Sequence, residues 1–128
     1  MDADEYLKYG KVSVWPERYA VAKTKKLIPD AFATIRDRGE ITTIIEQSKL
    51  KDILEVNRAW RLLTFDMVLP IELIGFIAKV SSALAEEGIS ILNISAYSTD
   101  HILVLEKDLD KTLRKLEDLG CSIDVKNE

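Results

Sequence analysis

Hydrophobic and polar positions in the second half of the chain switch between two periods. Residues 61–69 hold Leu62, Leu63, Phe65, Met67, Val68 and Leu69 in a short apolar run ended by Pro70, the pattern of a buried strand. Ile74, Ile77, Val80, Ser81 and Leu84 then recur at helical spacing on one stripe, with Lys79, Glu86 and Glu87 off it and Gly88 suited to the residue after a helix end. Residues 89–96 and 101–106, rich in β-branched side chains and leucine, flank the polar turn Tyr97-Ser98-Thr99-Asp100 and predict a hairpin. Leu109, Leu113, Leu116 and Leu119 predict a second amphipathic helix, capped by Asp108 and stopped by Gly120. Residues 122–126 alternate, as an edge strand does. The order is βαββαβ, an α+β arrangement.

The first half is less regular. Residues 11–15 and 19–23 read as strands joined by a turn at Pro16, and 32–36 and 41–46 as a hairpin closed by Asp37-Arg38-Gly39. Between the second and third of these strands, residues 24–30 are too few for a helix of ordinary length. Residues 48–56 predict a short helix before Trp60. Offsetting the halves by sixty positions brings Glu40, Ile44, Ile45 and Glu46 onto Asp100, Val104, Leu105 and Glu106. Two related modules are the expectation, residues 1–58 worn down and 59–128 complete.

Charge and composition narrow the function classes. A 47% hydrophobic share over 128 residues supports a real core, and a net charge of -4 lacks the basic footprint of a nucleic-acid binder. The single cysteine, Cys121, forms no internal disulfide, and the acidic start Met-Asp-Ala-Asp-Glu does not resemble the basic opening of a secretory signal. A reducing cytoplasm is the expected compartment. No window reaches the roughly 18 apolar residues of a membrane span.

Topology converts the pattern into a candidate site. In a βαββαβ unit the loop 70–74, the turn 97–100 and the junction 119–121 fall at one end of the sheet and are expected to form a rim. The loop feeds a helix whose first N–H groups lack partners and suit a carboxylate or phosphate, and Gly75 in that turn admits close approach to the backbone. Asp100, with Glu72, supplies negative charge for an ammonium across the same space. An anion site facing an acidic group describes an α-amino acid. Each residue also has a plainer role: Asp100 is a turn-former, the commoner use of that residue type; Glu72 is a solvated partner of the helix dipole; and Gly75 serves helix packing. His101, the sole histidine, starts a strand, which is more often a hydrogen-bonded than a catalytic position. Cys121 resembles a small buried hydrophobe, and Lys23, Lys25 and Lys26 a solvated strand end.

The run from Glu72-Leu73-Ile74-Gly75-Phe76 through Glu86-Glu87-Gly88-Ile89-Ser90-Ile91 resembles the turn and first helix of the ACT domain family. Tyr97-Ser98-Thr99-Asp100-His101-Ile102-Leu103-Val104 is similar to a signature of small tandem-ACT proteins, the branch that includes cytosolic arginine sensors. Tyr19-Ala20-Val21 and Glu40-Ile41-Thr42-Thr43-Ile44-Ile45 resemble that branch more weakly, with Thr42 where serine is usual and no glycine opening a helix. The resemblance implies a ferredoxin-like sandwich with a degenerate module beside a complete one. It further implies amino acids bound between ACT domains, within a chain or across a homodimer. The carboxylate would meet backbone at Ile74 and Gly75, the ammonium would lie near Asp100 beside Thr99, and Ile94 and Ser95 would offer strand backbone.

The expected function is therefore a non-enzymatic regulatory module, dimeric, whose amino-acid ligand alters association with a partner enzyme or regulator. The alternative is a ligand-free scaffold for dimerisation or docking. No nucleophile elbow, phosphate loop or metal-ligand cluster points to catalysis or a cofactor. RNA binding would need aromatics on the strand 101–106, which has none.

Overall fold

The computed structural model describes residues 1–126. The chain divides into two compact units, Met1–Pro16 with Arg61–Glu128, and Glu17–Trp60. The expected boundary after residue 58 falls two residues before the second crossing, but residues 1–16, expected with the first module, pack with the later part of the chain.

In the larger unit, helix α1 (Ala3–Lys8) precedes the first part of strand β1 (Lys11–Thr24), and the last part of strand β4 (Ile53–Phe65) begins the motif read from the sequence. Helix α2 (Phe76–Glu86), strands β5 (Ile91–Ser95) and β6 (Asp100–Leu105), helix α3 (Leu109–Asp118) and strand β7 (Ser122–Val125) follow in the predicted order. This is the α+β, ferredoxin-like arrangement, with one departure in strand order. A plain βαββαβ sheet would pair its last strand with its first. Here β1 stands between them, parallel to β7 from Lys11↔Ser122 to Val14↔Val125, and the order is β7-β1-β4-β6-β5.

Alternation explains the core. Val12 and Val14, Leu63 and Phe65, and Ile102 and Val104 occupy every second position of three neighbouring strands and are buried with Leu7, Phe76, Val80, Leu84 and Leu116 from the helices. Phe65 meets Phe76 edge-on at 5.1 Å between ring centroids, tying β4 to the first turn of α2. Helices α2 and α3 both end in paired bonds typical of a left-handed stop: Ile89 N–H donates to Leu84 O and Gly88 N–H to Ala85 O, with Cys121 to Leu116 and Gly120 to Glu117 repeating the pattern.

The smaller unit contains the rest of β1 and β4 with strands β2 (Ala33–Arg36) and β3 (Ile41–Glu46), ordered β2-β3-β1-β4. The predicted hairpin is present and antiparallel, Ala33↔Ile44 to Arg36↔Ile41. Tyr19, Ala20, Ala22, Ile28, Ile44, Ile45 and Trp60 form its buried apolar set.

Three local expectations are corrected. Pro16 does not turn the chain: β1 runs on from Lys11 to Thr24, because its pairing with β7 ends at Val14 and with β3 begins at Tyr19, so the missing N–H of Pro16 falls between two ladders. Residues 48–56 do not form the expected helix. A single 3-10 turn, Gln47–Lys49, leads into β4 after Asp52 adopts φ +54° and accepts a bond from Lys25 N–H at 2.9 Å. Asp108 occupies the start of α3, but its side chain makes no cap; its carbonyl instead accepts from Thr112 Oγ1 at 2.7 Å.

Helix α1 was not foreseen, although its signal is in the sequence. Asp2 and Glu5 form a reciprocal capping box, with Asp2 Oδ1 accepting from Glu5 N–H and Glu5 Oε1 from Asp2 N–H. Residues 119–121 pack against this helix and not on the expected rim. Cys121 Sγ donates to Leu7 O at 3.2 Å, and burial pushes its thiol up to about 11. Gly120, at φ +109°, sits so close that an added Cβ would lie 2.7 Å from Lys8 Cα.

Gly120→Ala combines left-handed strain with a backbone clash and is expected to cost about 2 kcal/mol or more in urea unfolding. Cys121 in the native protein should stay unreactive towards a thiol-disulfide reagent at pH 8 and react on unfolding; rapid native labelling would contradict the buried assignment.

Candidate functional site

A cavity of about 280 Å³ lies at the end of the larger unit's sheet, where the chain leaves β4 for α2 and turns from β5 to β6. One wall is the loop Leu69, Pro70, Ile71 and Leu73, continued by Gly75 and the first turn of α2; the other is the run 95–100. Two bonds hold the walls together. Leu69 N–H donates to Ser98 O at 2.8 Å across the site, and Leu73 N–H to Pro70 O at 3.0 Å folds the loop. The hairpin turn closes with Ala96 N–H on Thr99 O at 2.9 Å, just beyond the Ser95↔Asp100 pair.

Helices α1 and α2 start differently. Asp2 caps α1 with its side chain, whereas α2 starts at Gly75, which has none to offer. The first bond into α2 is Lys79 N–H to Gly75 O, so the N–H groups of Phe76, Ile77 and Ala78 lack intrahelical acceptors, and all three residues line the cavity. Gly75 is held at φ +82°, and a Cβ there would meet nothing within 4 Å. Its role is conformational and not close packing.

Of the residues expected at the site, Gly75, Ser95, Thr99 and Asp100 are brought together on the cavity wall. Glu72 is exposed on the loop, Ile94 pairs with His101 within the hairpin, and Ile74 is 88% exposed; none of the three is on the wall. Ile74 also leaves the predicted helical stripe, because the left-handed Gly75 intervenes between it and the first residue of α2. Pro70, Ile71 and Leu73 on the wall fall within the loop 70–74 expected on the rim, whereas Leu69, expected at the end of the entry strand, was not foreseen there. Pro70 marked the loop, but the bond that brings it against the hairpin is long-range.

Behind the wall runs a polar chain. Trp15 Nε1–H donates to Thr64 Oγ1 at 2.8 Å; Thr64 Oγ1 lies 2.8 Å from His101 Nδ1, and His101 Nε2 lies 3.2 Å from Thr99 Oγ1. A neutral imidazole fits, with Thr64 donating to Nδ1 and Nε2–H donating to Thr99. Burial lowers the His101 pKa below the ordinary imidazole value, outweighing the opposite pull of Asp100. His101 is thus a positioning residue for Thr99. Among the described residues, no group of three or more His, Cys, Asp or Glu side chains is gathered to hold a metal ion.

Because the folded protein takes up the His101 proton less readily than the unfolded chain, its contribution to stability is complete above the ordinary value of 6.5 and is lost as pH falls towards the lower folded value. Thermal midpoints of the wild type should fall over that interval, and His101→Gln should flatten that part of the profile. Gly75→Ala is expected to cost about 1–2 kcal/mol through left-handed strain alone, measured by urea unfolding.

Residues 55–118 match the ACT domain model, half of the chain. A comparison with curated protein sequences finds no match. Among solved structures, a protein from Agrobacterium tumefaciens is 23% identical with a TM-score of 0.82, covering 94% of this chain and 96% of its own. A Vibrio cholerae protein of unknown function is 26% identical with a TM-score of 0.75, covering 89% of this chain and 92% of that one. The ligand-free regulatory subunit of aspartate kinase from Thermus thermophilus shares the fold at 11% identity and a TM-score of 0.60, over 86% of this chain and 96% of its own. No helix among the described residues is long and apolar enough to cross a membrane. With a helix opened at an αL glycine, a hairpin facing it across a cavity and a family match spanning both, the chain belongs to the ACT domain family.

Proposed function

We propose that the protein is a non-enzymatic regulatory module that binds an α-amino acid in the cavity between the start of α2 and the β5–β6 turn. One observation carries this reading: the unpartnered N–H groups at the start of α2 and the acidic Asp100 line the same cavity, so a carboxylate and an ammonium on one carbon find opposite partners within it. Gly75 and Ser95 offer backbone and Thr99 its hydroxyl, with Glu72, Ile74 and Ile94 in supporting positions on the flanking segments.

The cavity is open, and the loop and turn that border it carry Val68, Ile71, Ile74 and Tyr97, all exposed, Tyr97 by 85%. An apolar rim of this kind is better suited to a partner surface than to water. This supports a site completed at an ACT–ACT interface in a homodimer, with occupancy setting its association with a partner enzyme or regulator in the cytoplasm. The degenerate ACT-like module expected over residues 1–58 is centred on the smaller unit, in keeping with the tandem-ACT branch: β2, β3 and a 3-10 turn repeat the order of β5, β6 and the 3-10 turn after Leu105, without a helix. The same rim also suits a ligand-free scaffold.

Calorimetric titration with each standard amino acid should find at least one that binds, and Asp100→Asn should weaken it about tenfold or more, roughly 1.4 kcal/mol. Failure of every amino acid to bind, together with a molar mass by light scattering that none of them changes, would leave only the scaffold.

A further inference from the structure

The smaller unit has a cavity of its own, about 310 Å³, lined by Lys23, Thr24 and Lys25 at the end of β1, by residues 36–41 around the β2–β3 turn, and by Leu54. Its place in the fold is not arbitrary. Residues 36–40 on its wall correspond, at the offset of sixty, to residues 96–100 on the wall of the other cavity. The chemistry differs. No helix begins beside it, and its charge is carried by side chains: four cations, Lys23, Lys25, Arg36 and Arg38, against two carboxylates, Asp37 and Glu40.

Both carboxylates are engaged. Asp37 Oδ1 accepts from Gly39 N–H and Glu40 N–H, each at 3.1 Å, and Asp37 N–H donates to Glu40 O, so this side chain shapes the turn that carries Arg36 and Arg38. Glu40 lies 4.0 Å from Lys23. Lys25, Arg36 and Arg38 have no carboxylate within 4.0 Å among the described residues, in a chain whose net charge is -4. Lys26, next in the same basic run, is paired with Asp52 at 3.8 Å. The strand end from which Lys25 extends is tied down: buried Thr24 Oγ1 donates to Lys26 O at 2.9 Å and meets Thr43 Oγ1 at 2.8 Å, and Lys25 N–H donates to Asp52 O.

We propose that this cavity binds a small polyanion, a metabolite carrying two or more negative charges on phosphoryl or carboxylate groups, through Lys25, Arg36 and Arg38. A monoanion would leave positive charge uncompensated, whereas two guanidinium forks and an ammonium match several anionic oxygens at once. The cavity has the size of a small-molecule site. Exposed charges are screened by salt, so affinity falls as ionic strength rises. The site is independent of the amino-acid cavity and of the reading given to it.

The test is calorimetric titration of the full chain with pyrophosphate and with citrate at about 50 mM salt. At least one probe should bind at one site per chain, about tenfold more weakly to the folded R36Q/R38Q variant, about threefold more weakly to R36K/R38K, which keeps the charge and loses the forks, and with unchanged affinity to Asp100→Asn. Pyrophosphate alone would identify a phosphoryl ligand, citrate alone a polycarboxylate, and both a general polyanion site. Lys25→Gln, on a separate segment, should independently weaken binding about threefold. Silence with both probes, or an affinity that neither R36Q/R38Q nor Lys25→Gln changes, overturns the proposal.

Discussion

The parallel ladder between β1 and β7, with β4 on the other side of β1, is the constraint on which the larger unit rests. Val12 and Val14 have no exposed surface, and the strand that carries them joins the first residues of the chain to the last described ones. Asp66 N–H donates to Lys11 O at 2.8 Å, fixing where β4 ends and therefore where the loop to α2 begins. The candidate site inherits that register, because the loop leaves β4 at a set height and Phe65 docks the first turn of α2 through Phe76.

From there each local feature acts on the next. The chain reaches α2 through a glycine that cannot cap it, which leaves donors at the cavity, while α1 begins in an acidic turn closed by a capping box. Thr99, at the cavity, is bonded through His101 and Thr64 to Trp15 on β1, so the hairpin wall is referred back to the same strand that fixes the loop. Gly120 and Cys121, which topology alone places at that end, are instead taken up by α1.

How much of this was legible in the sequence follows from the range of the interactions involved. Elements governed by local periodicity were readable: α2, α3, the β5–β6 hairpin and the Asp37-Arg38-Gly39 turn lie within a residue or two of their expected places. The continuity of β1 through Pro16 was not, since it depends on where two different partners stop pairing. On the wall of the candidate cavity, Gly75, Thr99 and Asp100 are residues that carried conformational or charge signals of their own. Leu69 looks like any apolar residue at a strand end, and only its bond to Ser98, 29 positions away, makes it part of a wall.

Placing residues 17–60 between two parts of one unit has a consequence for the order in which the protein can form. During synthesis α1 and the start of β1 emerge before their partners, which follow only after the intervening unit for β4 and, for β7, after two further helices. The smaller unit is contiguous and can close on itself early. Formation of the larger core must wait for contacts spanning more than a hundred residues, such as Lys11 with Ser122, and loop closure of that length slows folding more than it reduces final stability. Until then Val12 and Val14 present an apolar strand with unsatisfied edges, which exposes this segment to mispairing.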